Sequence, residues 1–224
     1  MSDTGSVVVT GAGGYLGGRV VSHLAYTGDR RVRAASRRPA PWLPFSVDVL
    51  DLAADNARLT ELCSGADVVV HLAGANETVA AEQPDRALAD TTAAARRVAE
   101  ACTTAGVGRL VYVSTVHVYG RALVPGTTVT EDAIPAPRSP YAVARLASEH
   151  LVTAAVCDTV VLRLTNSVGR PVAPGVERWS LVANDLCRQA ATTGTLRLRT
   201  DGMQWRDFIA LADVCRIVAA ALEP

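Results

Sequence analysis

Short runs rich in β-branched and apolar residues alternate along the chain with longer stretches in which apolar side chains recur every three or four positions. The runs SVVVT (6–10), RVRAAS (31–36), ADVVVHLA (66–73), RLVYVST (109–115) and TVVLRLT (159–165) read as buried strands. Between them, 14–27, 55–64, 84–105 and 141–156 carry helical spacing and few breakers. This alternation predicts an α/β, doubly wound parallel sheet of Rossmann type, covered by helices on both faces. The proline-rich stretch PGTTVTEDAIPAPRSP (125–140) predicts a long loop. After residue 166 the periodicity loosens. GRPVAPG reads as a loop, 176–192 as a helix, and WRDFI as a short strand before a final helix. The expected organisation is one unit over 1–165, with a shorter segment over 166–224 packed on it.

Composition narrows the class. A chain of 224 residues, 49% hydrophobic and 20% charged, has the balance of a globular protein with one sizeable core. Twenty-two basic residues meet 22 acidic ones, so no net field draws the chain to nucleic acid or to a membrane surface. Every basic residue is arginine; there is no lysine. The five cysteines are scattered, with no C-x-x-C pair or Cys/His cluster, so neither a disulfide framework nor a metal site is indicated. The N-terminus lacks a signal-peptide pattern and no run reaches membrane-spanning length. A cytoplasmic location is expected.

The stretch VVVTGAGGYLGGRVV places Gly11, Gly14 and Gly17 between the first strand and the first helix. Glycines there permit a tight turn and let backbone N–H groups approach a pyrophosphate at the positive helix end. A glycine motif alone is weak. This one follows a strand, opens a helix and begins a βαβ pattern, the context of a dinucleotide site. Gly11, Gly14, Tyr15, Leu16 and Gly17 are therefore candidate cofactor residues. The second strand ends in AASRRP, with Ser36 and Arg37 and no acidic residue for ribose hydroxyls. An arginine at this place accommodates a 2′-phosphate, which points to NADP over NAD. The other reading is a solvated cluster with Arg30, Arg31 and Arg33.

SPYAVAR sets Tyr141 four positions before Arg145 on the predicted helix, so the two share a face. A fixed cation beside a phenol favours the phenolate, as a proton donor or acceptor near neutrality needs.

The ordered set TGAGGYLG, HLAG, VYVSTVHVYG, SPYAVAR, RLTNSVGRP and WRDFIALADV resembles the extended short-chain dehydrogenase/reductase family, more narrowly its nucleotide-sugar epimerases, dehydratases and ketoreductases. The resemblance runs almost end to end. It implies that Thr115 is the hydroxyl residue and Tyr141 the catalytic tyrosine. It places Asp48 and Val49 beside the adenine, and Leu72, Ala73 and Gly74 along the cofactor's ribose side. Asn166 falls where substrate contacts begin, and Arg206 matches an arginine that meets the substrate's diphosphate.

Three features depart from the family pattern. Arg145 stands where the family has lysine: it keeps the charge and can donate to a ribose hydroxyl, but it cannot relay a proton. The dehydratases carry an Asp–Glu pair after the hydroxyl residue, whereas this chain has Val116 and His117. An aliphatic side chain does no acid–base work, so dehydration is not expected. His117 is either a substrate-side proton donor or a structural histidine. Finally, the chain stops where relatives continue into more of the substrate lobe.

The expectation is an NADP-dependent ketoreductase acting on a nucleotide-activated deoxysugar. Tyr141 would donate the proton, Thr115 hydrogen-bond the carbonyl and Arg145 orient the ribose. The alternatives are a nucleotide-sugar epimerase retaining NAD and a non-catalytic NADP-responsive binding protein. The helices at 84–105 and 141–156 are candidates for a homodimer interface.

Overall fold

The computed structural model describes residues 5–27, 30–43, 45–155 and 157–223. Val7, Val8 and Val9 of β1 (Ser6–Thr10) are fully buried, as a strand with neighbours on both edges and helices on both faces requires. β1 lies between β2 (Arg31–Ser36) and β4 (Val68–His71), with Val7 opposite Val32 on one side and Val68 on the other. β3 (Val47–Val49) extends the sheet beyond β2; β5 (Arg109–Thr115) and β6 (Asp158–Leu164) extend it beyond β4. The order β3-β2-β1-β4-β5-β6 is parallel throughout, the doubly wound arrangement the sequence predicts.

Successive strand side chains point to opposite faces, and two cores follow that parity. Val7, Val9, Val70, Val111 and Val113 pack with Val20, Val21 and Leu24 of α1 (Tyr15–Thr27) and with Val214 and Val218 of α7 (Leu211–Ala220). Val8, Val69, Leu110 and Tyr112 pack instead with Leu59 of α2 (Asn56–Cys63), Val98 of α4 (Pro84–Ala105) and Val152 of α5 (Pro140–Thr153). The final helix thus returns to the first core, while α4 and α5 lie together on the other face.

The start of α5 decides where Tyr141 stands. Ser139 caps the helix by accepting the Ala142 N–H at 3.2 Å, and Pro140 fills the first turn, where a missing N–H costs nothing. Ahead of it, the Ala136 N–H donates to Val118 O at 2.9 Å and so pins the end of the long loop to the turn after β5.

A second sheet pairs β7 (Asn166–Val168) with β8 (Phe208–Ala210) in parallel, reinforced by the Asn166 amide donating to Asp207 O at 2.9 Å. β3, β7 and α3 (Glu77–Glu82) are absent from the sequence expectation, because segments of three to six residues are too short to show a period. α6 (Val182–Thr192) starts six residues later than the expected 176, and the segment before it stays irregular along the site. The expected helix over 141–156 ends at Thr153; Val156 lies outside the described residues. Among the described residues no helix is long and apolar enough to cross a membrane.

Candidate active site

A cleft of about 600 Å³ opens beyond the carboxyl ends of β1 and β4, where the strand order reverses. The glycine loop forms one end. The Gly14 N–H donates to Gly11 O at 3.0 Å, and a Cβ on Gly17 would stand 2.0 Å from that same oxygen, so the close turn tolerates only glycine. Such a loop opening α1 leaves backbone N–H groups and a helix N-terminus free for an anion. Gly11, Gly14, Tyr15, Leu16 and Gly17 all line the cleft. Tyr15 also ties the loop to the C-terminal segment: its hydroxyl donates to Gly169 O at 2.7 Å and accepts from the Asn184 amide at 3.0 Å. Burial raises the Tyr15 pKa against the lowering effect of those two partners, so the phenol stays neutral.

At the end of β2 the structure separates neighbours that the sequence treats together. Ser36 lines the cleft, but its hydroxyl bonds the backbone of Arg38, donating to the carbonyl and accepting the N–H at 3.2 Å. Arg38 and Trp42 line the cleft, whereas Arg37 does not. Asp48 and Val49 are exposed on β3, outside the cleft lining. Leu72 and Gly74 line it; Ala73 does not, but supplies its carbonyl to Arg145.

Thr115, Tyr141 and Arg145 converge on the cleft. Thr115 ends β5, buried, with Oγ1 accepting the His117 N–H at 3.3 Å. Arg145 is buried, and its Nη1 donates to Ala73 O and Val113 O at 3.3 Å and to the Tyr112 hydroxyl at 3.4 Å. Its guanidinium carbon is 5.5 Å from the Tyr141 ring centroid. Burial opposes this charge, but the facing Tyr112 and Tyr141 outweigh it and hold the guanidinium's pKa above its ordinary value. Behind it, the fully buried His71 stacks on Tyr112 at 5.6 Å and shares a 2.7 Å hydrogen bond with the Thr10 hydroxyl. Burial, aided by the charge on Arg145, pushes the His71 pKa down to about 3. Beside Thr115, Ser114 donates to the buried Glu149, which is paired with Arg163 at 2.6 Å. This fixes the end of β5 against α5.

His117, Asn166, Arg206, Glu77 and Arg178 also line the cleft, and the Arg178 carbonyl accepts at 3.4 Å from the Asn184 amide that bonds Tyr15. Desolvation lowers the His117 pKa; Glu77 acts to raise it and Arg206 to lower it. Sequence reasoning missed Arg38, Trp42, Ser114, Glu77 and Arg178. For Arg38 the signal was present in the arginine pair; for Glu77 and Arg178, which are 101 residues apart, there was none.

The chain is similar in sequence and fold to several known proteins. The sequence pattern of the NAD dependent epimerase/dehydratase family matches residues 7–224. A dTDP-6-deoxy-L-talose 4-dehydrogenase (NAD(P)(+)) of Kitasatospora kifunensis is 33% identical, covering 96% of this chain and 69% of its own. A UDP-glucose 4-epimerase of Azospirillum brasilense is 29% identical, covering 96% and 68%. Among solved structures, MoeE5 in complex with UDP-glucose and NAD superposes with a TM-score of 0.84 at 31% identity, covering 98% of this chain and 72% of that one.

Proposed function

The chain belongs to the NAD dependent epimerase/dehydratase family, and on that premise we propose that it is an NADP-dependent ketoreductase acting on a nucleotide-activated deoxysugar. The family's members are NAD(P)-dependent enzymes of nucleotide sugars. The observation that carries the narrower reading is the convergence of Thr115, Tyr141 and Arg145 on a cleft whose other end is the glycine loop.

The residues fit the cofactor. Gly11 and Gly17 leave no room for a Cβ against the neighbouring backbone, and the tight turn they allow would present backbone N–H groups to a pyrophosphate. Arg38, with Arg37 beside it, would meet a 2′-phosphate. Leu72 and Gly74, with Ala73 between them, would flank the ribose side; Asp48 and Val49, exposed on β3 outside the cleft lining, would meet the adenine only from its edge. When bound, the nicotinamide supplies hydride to the substrate carbon. Thr115 would hydrogen-bond the carbonyl oxygen, and Tyr141 would give it a proton. Arg145 would hold the ribose and stabilise the phenolate left behind. Asn166 and His117 would face the sugar, and Arg206 its diphosphate. Val116 leaves the neighbouring position without acid–base chemistry, which argues against dehydration.

A nucleotide-sugar epimerase that retains NAD is the second reading, favoured by the NAD held in MoeE5. Oxidation of NADPH on adding a keto-sugar nucleotide tests the first reading. NAD carried through purification, with no net oxidation, would favour the second. Neither event would leave a non-catalytic binding protein.

A further inference from the structure

Resting on the sugar-nucleotide reading, we propose that Glu77 restricts the substrate to nucleoside diphosphate sugars whose hexose bears no carboxylate, by keeping Arg178 neutralised in the cleft. Glu77 opens α3, and Arg178 lies in the irregular segment before α6. Arg178 Nη2 donates to Glu77 Oε2 at 2.7 Å, and Nη1 donates to the Ser180 hydroxyl at 2.9 Å. That hydroxyl donates to Glu77 Oε1 at 3.0 Å, which closes a ring of three side chains. Both carboxylate oxygens are therefore engaged. Burial pushes the Glu77 carboxyl up, but Arg178 outweighs it and holds the pKa below the usual carboxylate range, so the negative charge persists at working pH.

The ring lines the same cleft as Thr115, His117 and Tyr141. Glu77 and Arg206 both act on His117, two residues beyond Thr115. A sugar carboxylate arriving there meets an anion already seated on Arg178. It can displace Glu77 and strand a half-buried charge, or stay beside it and be repelled; either costs free energy. A hydroxymethyl or methyl group pays neither cost, and a hydroxyl can hydrogen-bond to the ring. Selection therefore comes from a repulsive element as much as an attractive one.

UDP-glucose and UDP-glucuronic acid make a matched pair, differing only in a hydroxymethyl against a carboxylate. Each is titrated calorimetrically into the protein in the presence of NAD+ or NADP+, whichever binds the tighter, with UDP alone as the reference. UDP-glucose should bind at least about tenfold more tightly than UDP-glucuronic acid. Glu77→Gln keeps the hydrogen bond to Ser180 and drops the charge; it should bring the two affinities within about threefold by tightening UDP-glucuronic acid. Arg178→Gln leaves the Glu77 charge unpaired and should preserve or widen the discrimination. If Glu77→Gln fails to fold, the ratio in the unaltered protein and in Arg178→Gln still decides. Equal affinities in the unaltered protein, or an unchanged ratio in a folded Glu77→Gln, overturn the proposal while leaving the sugar-nucleotide reading intact. If neither sugar nucleotide binds better than UDP, that reading falls and the proposal falls with it.

Discussion

The guanidinium carbon of Arg145 lies 5.5 Å from the ring centroid of Tyr141, and the two meet because they stand four positions apart on α5. Arg145 is held on its other side by two carbonyls and the Tyr112 hydroxyl. Its charge is thereby fixed in place. Such a residue supplies electrostatics and orientation, and cannot serve as a proton path.

Tyr141→Phe should lower turnover of a keto-sugar nucleotide by about 10² or more, the usual scale for loss of a general acid. Arg145→Lys keeps the charge and should stay substantially active with an altered pH–rate profile. Arg145→Met should lose rate and cofactor affinity together. Unchanged turnover in Tyr141→Phe would make the pair structural and bring the non-catalytic reading forward.

Arg145 fits only because position 74 has no side chain. A Cβ on Gly74 would stand 2.9 Å from Nη2 and 3.0 Å from the guanidinium carbon, and the backbone there has φ +147°. Gly74→Ala should therefore cost activity through strain and through displacement of Arg145. The double change Gly74→Ala, Arg145→Lys removes the fork that collides and should recover part of the rate. If kcat/KM of the double variant is no higher than that of Gly74→Ala, the guanidinium does not need the space.

The strand–helix alternation was legible because each long element carries its own pattern: β1 centres on the apolar run Val7–Val9, and the α5 cap is spelled out by Ser139 and Pro140. Tyr141 and Arg145 were legible as neighbours from their spacing on α5, whereas Thr115 was singled out only by the family resemblance. The arginine pair was only half legible. Arg37 and Arg38 lie past the end of β2, where no strand alternation sets their direction, and the Ser36 hydroxyl, spent on the Arg38 backbone, fixes the bend that brings Arg38 to the cleft. Glu77 and Arg178 meet through the tertiary fold alone, which no local pattern records.

That geometry makes Arg38 the residue to test for cofactor choice. Arg38→Ala should weaken NADPH binding about tenfold at low salt and leave NADH little changed, since a charge-assisted contact is worth roughly 1.5–3 kcal/mol. Added salt should shrink the difference, because the side chain is exposed. Arg37→Ala should matter less. Calorimetric titration of both cofactors into each variant decides it; equal NADPH and NADH affinities in the unaltered protein would end the NADP assignment.

The buried His71 makes the fold sensitive to acid in a direction that follows from its environment. Its pKa is pushed from 6.5 to about 3 by burial and by the nearby Arg145 charge. As pH falls, the unfolded chain takes up a proton on this imidazole before the folded protein can. Its contribution to stability is thus fully present above pH 6.5 and is lost progressively as pH falls toward 3. The slope reaches at most about 1.4 kcal/mol per pH unit, the value for one proton. His71→Gln removes the titrating group and keeps a polar partner for the Thr10 hydroxyl. The variant should be less stable at neutral pH but lose less stability on acidification. His117, also lowered, is present in both proteins and cancels from the difference. Urea unfolding from pH 7 to pH 5 measures it. Parallel losses in the two proteins would mean that His71 accepts its proton without unfolding.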